Sequence, residues 1–455
     1  MSLWSMVLRS LAQRRLGAGL TAFGVALGVM LVVTVLALYS QITAYYDAQG
    51  ASYPMVIGAE GYDLQLVQNV VYHTDRSPGL MKYGRYDALR KEPWVRLAVP
   101  YAVGDAFRGY RVVGTTDGIF NPAFQPRKGA PLEIASGRPF VHDPAALQGM
   151  IELVERGGSG PPEARPKIAF EATVGAEVAE RLGLKIGDRI EPTHGVEGGK
   201  AHEHVQLWDV TGVLKRTGTA IDRVVFINLE SFYGIEDHLV GGRLPTGEAG
   251  LSAVLVWPKG PMELVIRTPR LDAEEGIQAV RPAEVIRTKL YDQHLKPAQQ
   301  TLLWVTLFNV LTGVVGVAVA LYNTMNERRR EIAVLRAVGA RRSFILRLLV
   351  GEAAMIAAIG AAVGLLLARV LLYALATGAA DFGLFGRGLA FDADPWGATW
   401  VDVFVLEGDD ADRTVRLPAD ALAFVGAVLV GAVAGLLPAL KGYRTPVAEN
   451  LAPTS

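Results

Sequence analysis

Four long apolar stretches limit what this chain can fold into more than any other feature of its sequence. A helix needs about 20 apolar residues to cross the apolar core of a bilayer. Four stretches satisfy this length, and two of them contain no acidic or basic residue. The first follows several arginines, as a signal peptide does, but its apolar run is too long for one. We therefore predict a polytopic α-helical membrane protein with four transmembrane helices, at residues 17–42, 298–324, 350–378 and 419–440.

The placement of arginine and lysine predicts the orientation of these helices, because basic residues are retained on the cytoplasmic side. Segments 1–16, 325–349 and 441–455 are basic, whereas the segment 379–418 carries mostly acidic residues. We expect the three basic segments, including both termini, to be cytoplasmic. The acidic segment and the long insert 43–297 are then extracytoplasmic.

The insert between the first two transmembrane helices has the pattern of a large mixed α/β domain. Short β-rich runs such as Arg111–Thr115 and Ser252–Trp257 accompany a helical pattern at Ala172–Leu182. A second helical pattern at about 282–300 runs almost directly into the second transmembrane helix. We interpret it as a stalk that joins the domain to the membrane, with Pro297 as a possible kink.

Three of the predicted transmembrane helices carry glycines four residues apart. Such pairs lie on one face of a helix and allow two backbones to approach closely in lipid. We expect them to mediate helix packing, either within one chain or between two copies. The glycines are Gly24, Gly28, Gly360, Gly364, Gly431 and Gly435.

Composition argues against two other classes of protein. Basic and acidic residues number 45 each, so bulk charge gives no support for a nucleic-acid-binding protein. The sequence contains no cysteine, which excludes a disulfide framework and a cysteine-based zinc site.

Three histidines in the insert form a candidate metal site. His194, His202 and His204 fall near a turn between two predicted strands, and imidazole is a good ligand for zinc or copper. A flexible loop is a poorly preorganised site, however. Solvated surface histidines are therefore the competing interpretation.

The segment after the second transmembrane helix is the most informative part of the sequence. It reads NERRREIAVLRAVGARRSFI over residues 326–345. Ile332, Leu335 and Val338 are spaced to share one helix face, and Gly339–Ala340 interrupts the pattern. We predict a short amphipathic helix at the cytoplasmic surface. Its arginines could bind lipid headgroups, or its apolar stripe could dock into a groove of a cytoplasmic partner.

This run resembles the signature of FtsX-like and MacB-like ABC transporter permeases, which follows the pattern ER-x-x-EI-x-x-LRA-x-GA. The closing GLLPALKGYRTPVAENL is similar to the end of the same family. Within the insert, FEATVGAEVAERLGLKIGDRI resembles the MacB-like periplasmic core domain.

The resemblance implies a type VII ABC architecture that works by mechanotransmission. In this family two permeases pair, as a homodimer or with a close paralogue, and their cytoplasmic segments sit on a dimer of ABC ATPases. Movement of the ATPases is passed to the periplasmic domains, and a periplasmic adaptor is a further possible partner. The residues that the resemblance assigns to ATPase coupling are Glu327, Arg328, Glu331, Ile332, Leu335, Arg336, Gly339 and Ala340.

The sequence contains no G-x-x-x-x-G-K-[ST] phosphate-binding loop. We therefore expect a non-catalytic subunit that binds no cofactor, with ATP and Mg held by an ATPase on a partner chain. Two alternatives remain open: an FtsX-like signalling protein that controls a cell-wall hydrolase, and a lipoprotein-releasing permease. Genetic context would discriminate, because an adjacent periplasmic adaptor would favour efflux.

Overall fold

The structure is a computed structural model that describes residues 3–13, 15–158, 165–194, 206–235, 238, 244–382, 397, 399–406 and 413–444. The chain divides into two compact units. We call them the membrane unit and the sheet unit. The membrane unit comprises the described residues of Met1–Ile42, Leu295–Ala379 and Ala393–Ser455, and the sheet unit those of Thr43–His294 and Ala380–Asp392.

The described residues form helices and strands in a clear order along the chain. The helices are α1 (Leu3–Gln13), α2 (Arg15–Gly50), α3 (Asp63–Val70), α4 (Tyr83–Leu89), α5 (Pro144–Glu155), α6 (Ala176–Leu182), α7 (Leu229–Tyr233), α8 (Pro261–Asp272), α9 (Pro282–Val285), a π-helix (Ile286–Leu295), α10 (Lys296–Ala337), α11 (Arg342–Phe382) and α12 (Ala419–Arg444). The strands are β1 (Met55–Ala59), β2 (Met81–Lys82), β3 (Val95–Phe107), β4 (Tyr110–Thr115), β5 (Ile134–Gly137), β6 (Glu171–Val174), β7 (Arg189–Ile190), β8 (Thr193–His194), β9 (Trp208–Leu214), β10 (Val224–Asn228), β11 (Gly250–Leu251), β12 (Ala253–Pro258), β13 (Ile277–Val280), β14 (Trp400–Leu406) and β15 (Arg413–Pro418). Short 3-10 turns cover Asp117–Phe120 and Ala220–Arg223.

Four helices are long and apolar enough to cross a membrane. The apolar spans lie in Arg15–Gly50, Pro282–Gly316, Arg342–Leu375 and Ala419–Leu436. This agrees with the four transmembrane helices that the sequence predicts, and the sheet unit is inserted between the first and the second of them. The predicted fold class is confirmed.

Close approach of helix backbones holds the membrane unit together. A Cβ placed on Gly360 would lie 2.5 Å from the carbonyl oxygen of Ala22, and one on Gly364 would lie 2.5 Å from that of Ala26. Only glycine lets α11 approach α2 this closely. The apolar side chains of Val29 in α2 and of neighbouring α11 residues are buried at this contact.

The sheet unit is built on a mixed sheet of eleven strands. Nine strands follow the order β13-β1-β12-β3-β4-β10-β6-β9-β5, while β7 pairs with β9 and β8 pairs with β3. The pairs β4–β10 and β6–β9 are parallel, and the other pairs are antiparallel. Residues such as Val112, Val225 and Ile227 on the central strands are fully buried with α5, α6 and α7 in the main core.

One predicted helix begins later than its pattern indicates. Residues Glu171–Val174 form β6, and the helix starts only at Ala176. Thr173 and Val174 are β-branched and pair with β10 in the middle of the sheet, where such residues pack well. The end of this helix follows the prediction, because Gly183 adopts φ +66° and terminates α6.

The region 282–300 is helical throughout, but not uniformly α-helical. Helix α9 passes into the ten-residue π-helix, which is followed directly by α10. Pro297 lies in the first turn of α10, directly after the π-helix. Helix α10 also continues to Ala337 through the segment that the sequence predicts to be cytoplasmic, so the predicted short amphipathic helix is the end of a 42-residue helix.

Candidate coupling site

The chain reverses between α10 and α11 in a tight turn with a defined hydrogen-bond pattern. The N–H of Ala340 donates to the carbonyl of Leu335 (3.0 Å), and the N–H of Gly339 donates to that of Arg336 (3.1 Å). Gly339 has φ +101°, which favours glycine strongly. These features define a Schellman motif at the end of α10. We call residues 334–342 the coupling turn.

The inner side of the coupling turn is a small apolar cluster. Ile332 is buried and packs with Ile345 and Leu349 of α11 and with Ala439 of α12. Leu335 is partly buried against the same cluster. Ile332 and Leu335, two of the residues assigned to ATPase coupling, therefore hold the turn against α11 and α12 of its own unit.

The outer side of the coupling turn exposes apolar and basic residues together. Val338 is 85% exposed and Val334 is 46% exposed, and they lie four residues apart at the end of α10. Arg341 and Arg342 are exposed directly after them. An apolar tip next to fixed positive charge fits a groove with an apolar floor and an acidic rim, because helix-in-groove contacts use such anchors.

The remaining coupling residues lie at different places on this element. Glu327, Arg328 and Glu331 belong to α10, and their side chains lie outside the described part of the chain. Arg336 is half-buried, and Gly339 and Ala340 form the Schellman motif. Their assignment to ATPase coupling stays a prediction.

Sequence reasoning placed Val338 on the same face as Ile332 and overlooked Val334. The i, i+4 spacing of Val334 and Val338 next to Arg341 was the available signal. The pattern alone could not show which apolar face is covered, because Ala439 comes from a helix about a hundred residues further along the chain.

The predicted packing glycines fall into two groups. Gly360 and Gly364 contact α2, as described above. Gly431 and Gly435 contact α11, where a Cβ on Gly435 would lie 2.6 Å from that of Ala353. In contrast, no described residue beyond the adjacent turns of α2 has an atom within 4 Å of a Cβ placed on Gly24, and for Gly28 the nearest such atom is Val310 Cγ2 at 3.9 Å. Among the described residues, Gly24 and Gly28 therefore make no close backbone contact with another helix.

Two ionisable residues within the third transmembrane helix have partners in the membrane unit. Glu352 is buried and accepts a hydrogen bond from the hydroxyl of Ser10 on α1. Arg369 is also buried, and its guanidinium pairs with the carboxylate of Asp420 on α12. Its Nη1 donates to the carbonyl of Gly397 (3.2 Å). Asp420 was not singled out from the sequence, although its position at the start of an apolar run is a recognisable signal.

The end of α2 is firmly attached within the sheet unit. The hydroxyl of Tyr72 donates to the carbonyl of Tyr46 (2.8 Å), and Gln49 Oε1 accepts from the N–H of Ala220 (2.9 Å). Burial raises the pKa of Tyr72 well above its usual value, so the hydroxyl stays protonated and able to donate. A Cβ on Gly50 would lie 3.2 Å from Tyr72 Oη. We call this contact region the stalk anchor.

The π-helix, through which the chain leaves the sheet unit and enters α10, is also part of the stalk anchor. The hydroxyl of Tyr291 donates to the carbonyl of Thr43 at 2.7 Å. The Cα of Ala283 in α9 would lie 3.4 Å from a Cβ on Gly50. Both segments that leave the sheet unit toward the membrane helices are thus tied to each other and to the sheet.

The candidate metal site lies almost entirely outside the described residues. The backbone of His194 belongs to β8 and pairs with Asp105 of β3. The side chain of His194, and all of His202 and His204, lie outside the described part of the chain. Metal binding at these residues stays a prediction.

Two family models match the chain and together cover both units. Residues 18–259 match the MacB-like periplasmic core domain, which is more than half of the 455 residues. Residues 304–447 match the C-terminal domain of FtsX-like permeases. Fold and site define a membrane permease with a large extracytoplasmic-type domain. The chain belongs to the FtsX-like and MacB-like family of ABC transporter permeases.

Two similar curated proteins are each described as "Macrolide export ATP-binding/permease protein MacB". The one from Hahella chejuensis is 23% identical over 465 aligned positions, covering 97% of this chain and 59% of that protein. The one from Nitrobacter winogradskyi is 34% identical over 148 residues, covering 32% of this chain and 18% of that protein. The chain therefore spans at most about three fifths of the length of these two relatives.

Solved structures with similarity to this chain include two extracytoplasmic domains. The extracellular domain of the noncanonic ABC-type transporter YknZ from Gram-positive bacteria has a TM-score of 0.29 and 15% identity, and covers 50% of this chain and 98% of its own. The periplasmic region of MacB from Actinobacillus actinomycetemcomitans has a TM-score of 0.31 and 9% identity, and covers 53% and 96%.

Proposed function

We propose that this chain is the permease subunit of an ABC transporter that uses ATP hydrolysis by a partner chain to perform export or extraction work by mechanotransmission. Two copies pair in the bacterial inner membrane, each on one subunit of a cytosolic ABC ATPase dimer. Both termini and the coupling turn are cytoplasmic, and the sheet unit is periplasmic. The chain itself is non-catalytic and binds no cofactor, and ATP and Mg are held by the ATPase.

The exposed tip of the coupling turn is the observation that carries this proposal. Val338 is 85% exposed and Val334 is 46% exposed, so the tip is an apolar patch rather than a single exposed side chain. The turn is also fixed in shape by the Schellman motif at Gly339 and by the apolar cluster around Ile332. A rigid apolar knob next to Arg341 and Arg342 is suited to receive force from an acidic groove, because little of the movement is lost in the turn itself.

The continuous helical backbone supports transmission over a distance. Helix α9, the π-helix and α10 follow one another without a break from Pro282 to Ala337. Closure of the ATPase subunits displaces the coupling turn, and α10 passes the displacement to the stalk. The stalk anchor then moves the sheet unit. The end of α2 accepts a hydrogen bond from Tyr72, and the π-helix is hydrogen-bonded to α2 through Tyr291.

Substitution of the exposed valines tests the docking directly. Val334→Asp and Val338→Asp place a carboxylate against the expected acidic groove while leaving the buried cluster intact. We expect both variants to be made at normal levels but to lose co-purification with the ATPase and its permease-dependent change in ATPase rate. Leu335→Asp is less informative, because Leu335 is partly buried and its loss would disturb the turn itself.

Val141→Asp is the matched control, since Val141 is 51% exposed but belongs to the sheet unit. It should co-purify with the ATPase as the unmodified protein does. Normal association and ATPase rate in both Val334→Asp and Val338→Asp would refute the assignment of the coupling turn.

A further inference from the structure

The outer face of α8 carries an uncovered apolar stripe on the sheet unit. Met262 is 67% exposed, Val265 is 57% exposed and Ile266 is 40% exposed. Their i, i+3, i+4 spacing puts them on one side of the helix. The opposite side packs Leu264 and Leu271 against the main core. Helix α8 is therefore apolar on two opposite faces. One face packs on the core of the sheet unit, and the other is exposed.

No other exposed large apolar residues of the described sheet unit form such a group. Tyr62, Val141, Ile186 and Leu207 are each between 44% and 51% exposed, and each stands alone in the sequence. Isolated apolar residues on a surface are normal, whereas a contiguous group marks an interaction site. The α8 stripe is thus the strongest candidate for a contact surface on this unit.

The charges on α8 are arranged to complement a second copy of the same helix. Glu263 and Arg270 are seven residues apart, so they lie on the same flank of the stripe. In an antiparallel pair of identical helices, Glu263 of each helix lies beside Arg270 of the other. Glu263 bonds Arg267 within its own helix (3.1 Å), whereas Arg270 has no ion pair among the described residues. A surface that complements itself in this way is what a two-fold interface requires.

The same charges argue against a lipid surface as the occupant. A helix that lies on a membrane carries an excess of lysine and arginine beside its apolar face. Helix α8 instead has two acidic and two basic residues, and two further acidic residues follow it at Glu274 and Glu275. The stripe therefore has no positive charge excess that would attract anionic headgroups.

We propose that the outer face of α8 is where the sheet units of two copies of this chain meet, helix against antiparallel helix across a two-fold axis. This inference rests on the pairing of two permease copies in the proposed function. A contact through three apolar side chains per copy is much smaller than the interfaces that hold stable dimers on their own. It forms because the two copies are already held together in the membrane, which raises their effective concentration.

Disulfide formation in the full-length protein tests this contact, and the absence of native cysteine removes any background. Val265→Cys is placed in the centre of the stripe, and membranes containing the variant are oxidised with copper phenanthroline. We expect most of the Val265→Cys protein to run as a covalent dimer. Val141→Cys, at a similarly exposed site away from α8, is the control and should give only a trace.

A charge exchange then tests the antiparallel geometry. In the Val265→Cys background, Glu263→Arg alone and Arg270→Glu alone should each greatly reduce the dimer yield, because each brings like charges together. The combination Glu263→Arg/Arg270→Glu should restore it. A combined variant that stays as low as the single variants would overturn the antiparallel pairing.

Native mass measurement of the complex with its ATPase separates this inference from the proposed function. Two permease copies in the complex, with Val265→Cys giving no more dimer than Val141→Cys, would overturn the α8 contact alone. Photo-crosslinking from position 265 to lipid or to another protein would identify the true occupant in that case. A complex with a single permease copy would overturn the pairing itself.

Discussion

The guanidinium of Arg369 on α11 pairs with the carboxylate of Asp420 at the start of α12. Arg369 also donates to the carbonyl of Gly397, ahead of the β14–β15 hairpin. The N–H of Ala419 donates to the carbonyl of Thr399 (2.8 Å), which closes the base of the same hairpin on α12. Arg369 thus links two spanning helices and the segment that connects them.

Removal of the guanidinium of Arg369 should destabilise the membrane unit. Arg369→Gln leaves the Asp420 carboxylate without its partner, and we expect a loss of about 2 kcal/mol of unfolding free energy. The measurement is the thermal unfolding midpoint of the purified protein in nanodiscs. The double variant Arg369→Gln/Asp420→Asn should lose less unfolding free energy than the two single variants lose in sum. Strictly additive losses would show that the two side chains do not interact.

Packing at Gly364 should tolerate no side chain, in contrast to Gly24. Gly364→Ala places a Cβ 2.5 Å from the carbonyl oxygen of Ala26. The resulting overpacking should reduce the unfolding free energy by about 1–3 kcal/mol. Gly24→Ala, the matched control, meets no atom of another described helix within 4 Å and should be neutral or stabilise α2 slightly. Equal losses in thermal unfolding would contradict this division of the glycines.

Length and composition were sufficient to predict the spanning helices, because an uninterrupted apolar run of this length has few other stable environments. The spaced glycines of α11 and α12 lie at close helix contacts, but spacing alone does not identify the neighbouring helix. Gly364 contacts Ala26 rather than Gly28, since the face of α2 that meets α11 is set by the whole bundle. Sequence therefore predicts that a helix can pack closely but not which of its faces does so.

The coupling turn shows the same boundary between local and long-range information. The motif at Gly339 is local, because the positive φ and the two hydrogen bonds involve residues within one turn of helix. The burial of Ile332 depends on Ile345 and Ala439, which are distant in sequence. The sequence could therefore locate the turn, whereas identifying which of its apolar side chains are exposed required the fold.

The His142–Glu230 pair should make the stability of the sheet unit depend on pH. His142 Nδ1 lies 2.8 Å from Glu230 Oε2, and both side chains are buried. Burial lowers the pKa of His142, but the hydrogen bond and the charge of Glu230 outweigh burial, so the pKa is raised above its usual value. The protonated ring is thus favoured in the folded state. Its contribution is fully present below a pH of about 6.5 and is lost as the pH rises through the raised pKa.

Thermal unfolding of the full-length protein between about pH 6 and pH 8.5 measures this effect, because the window spans the ordinary histidine pKa. The midpoint of the sheet-unit transition should fall with rising pH in the unmodified protein. His142→Gln keeps a hydrogen-bond donor near Glu230 but cannot titrate, so this part of the pH dependence should disappear. A slope unchanged by His142→Gln would assign the pH dependence to other groups.

Gly50 should be essential for passing movement into the sheet unit. A Cβ at this position would lie 3.2 Å from Tyr72 Oη and 3.4 Å from Ala283 Cα. The branched side chain of Gly50→Val cannot fit there unless the end of α2 moves away from α9. The coupling turn is far from this position in the sequence, so the variant should still bind the ATPase and hydrolyse ATP. What it should lose is the ATP-dependent change in hydrogen exchange of residues 277–295.

Gly84→Val provides the comparison, because Gly84 is also a helical glycine of the sheet unit, but a Cβ placed there has no atom of the described residues within 4 Å beyond its own helix. It should retain both ATP hydrolysis and the ATP-dependent exchange response. The proposed mechanism requires the two properties to separate in Gly50→Val, since the ATPase is expected to bind at the coupling turn after α10, whereas Gly50 belongs to the stalk anchor at the end of α2. If Gly50→Val kept the full exchange response, the stalk anchor would not be the route by which ATP hydrolysis reaches the sheet. If it lost ATPase association as well, the substitution would have disturbed the membrane unit, and Tyr72→Phe, which removes only the hydroxyl contact to Tyr46, would then decide whether the anchor transmits force.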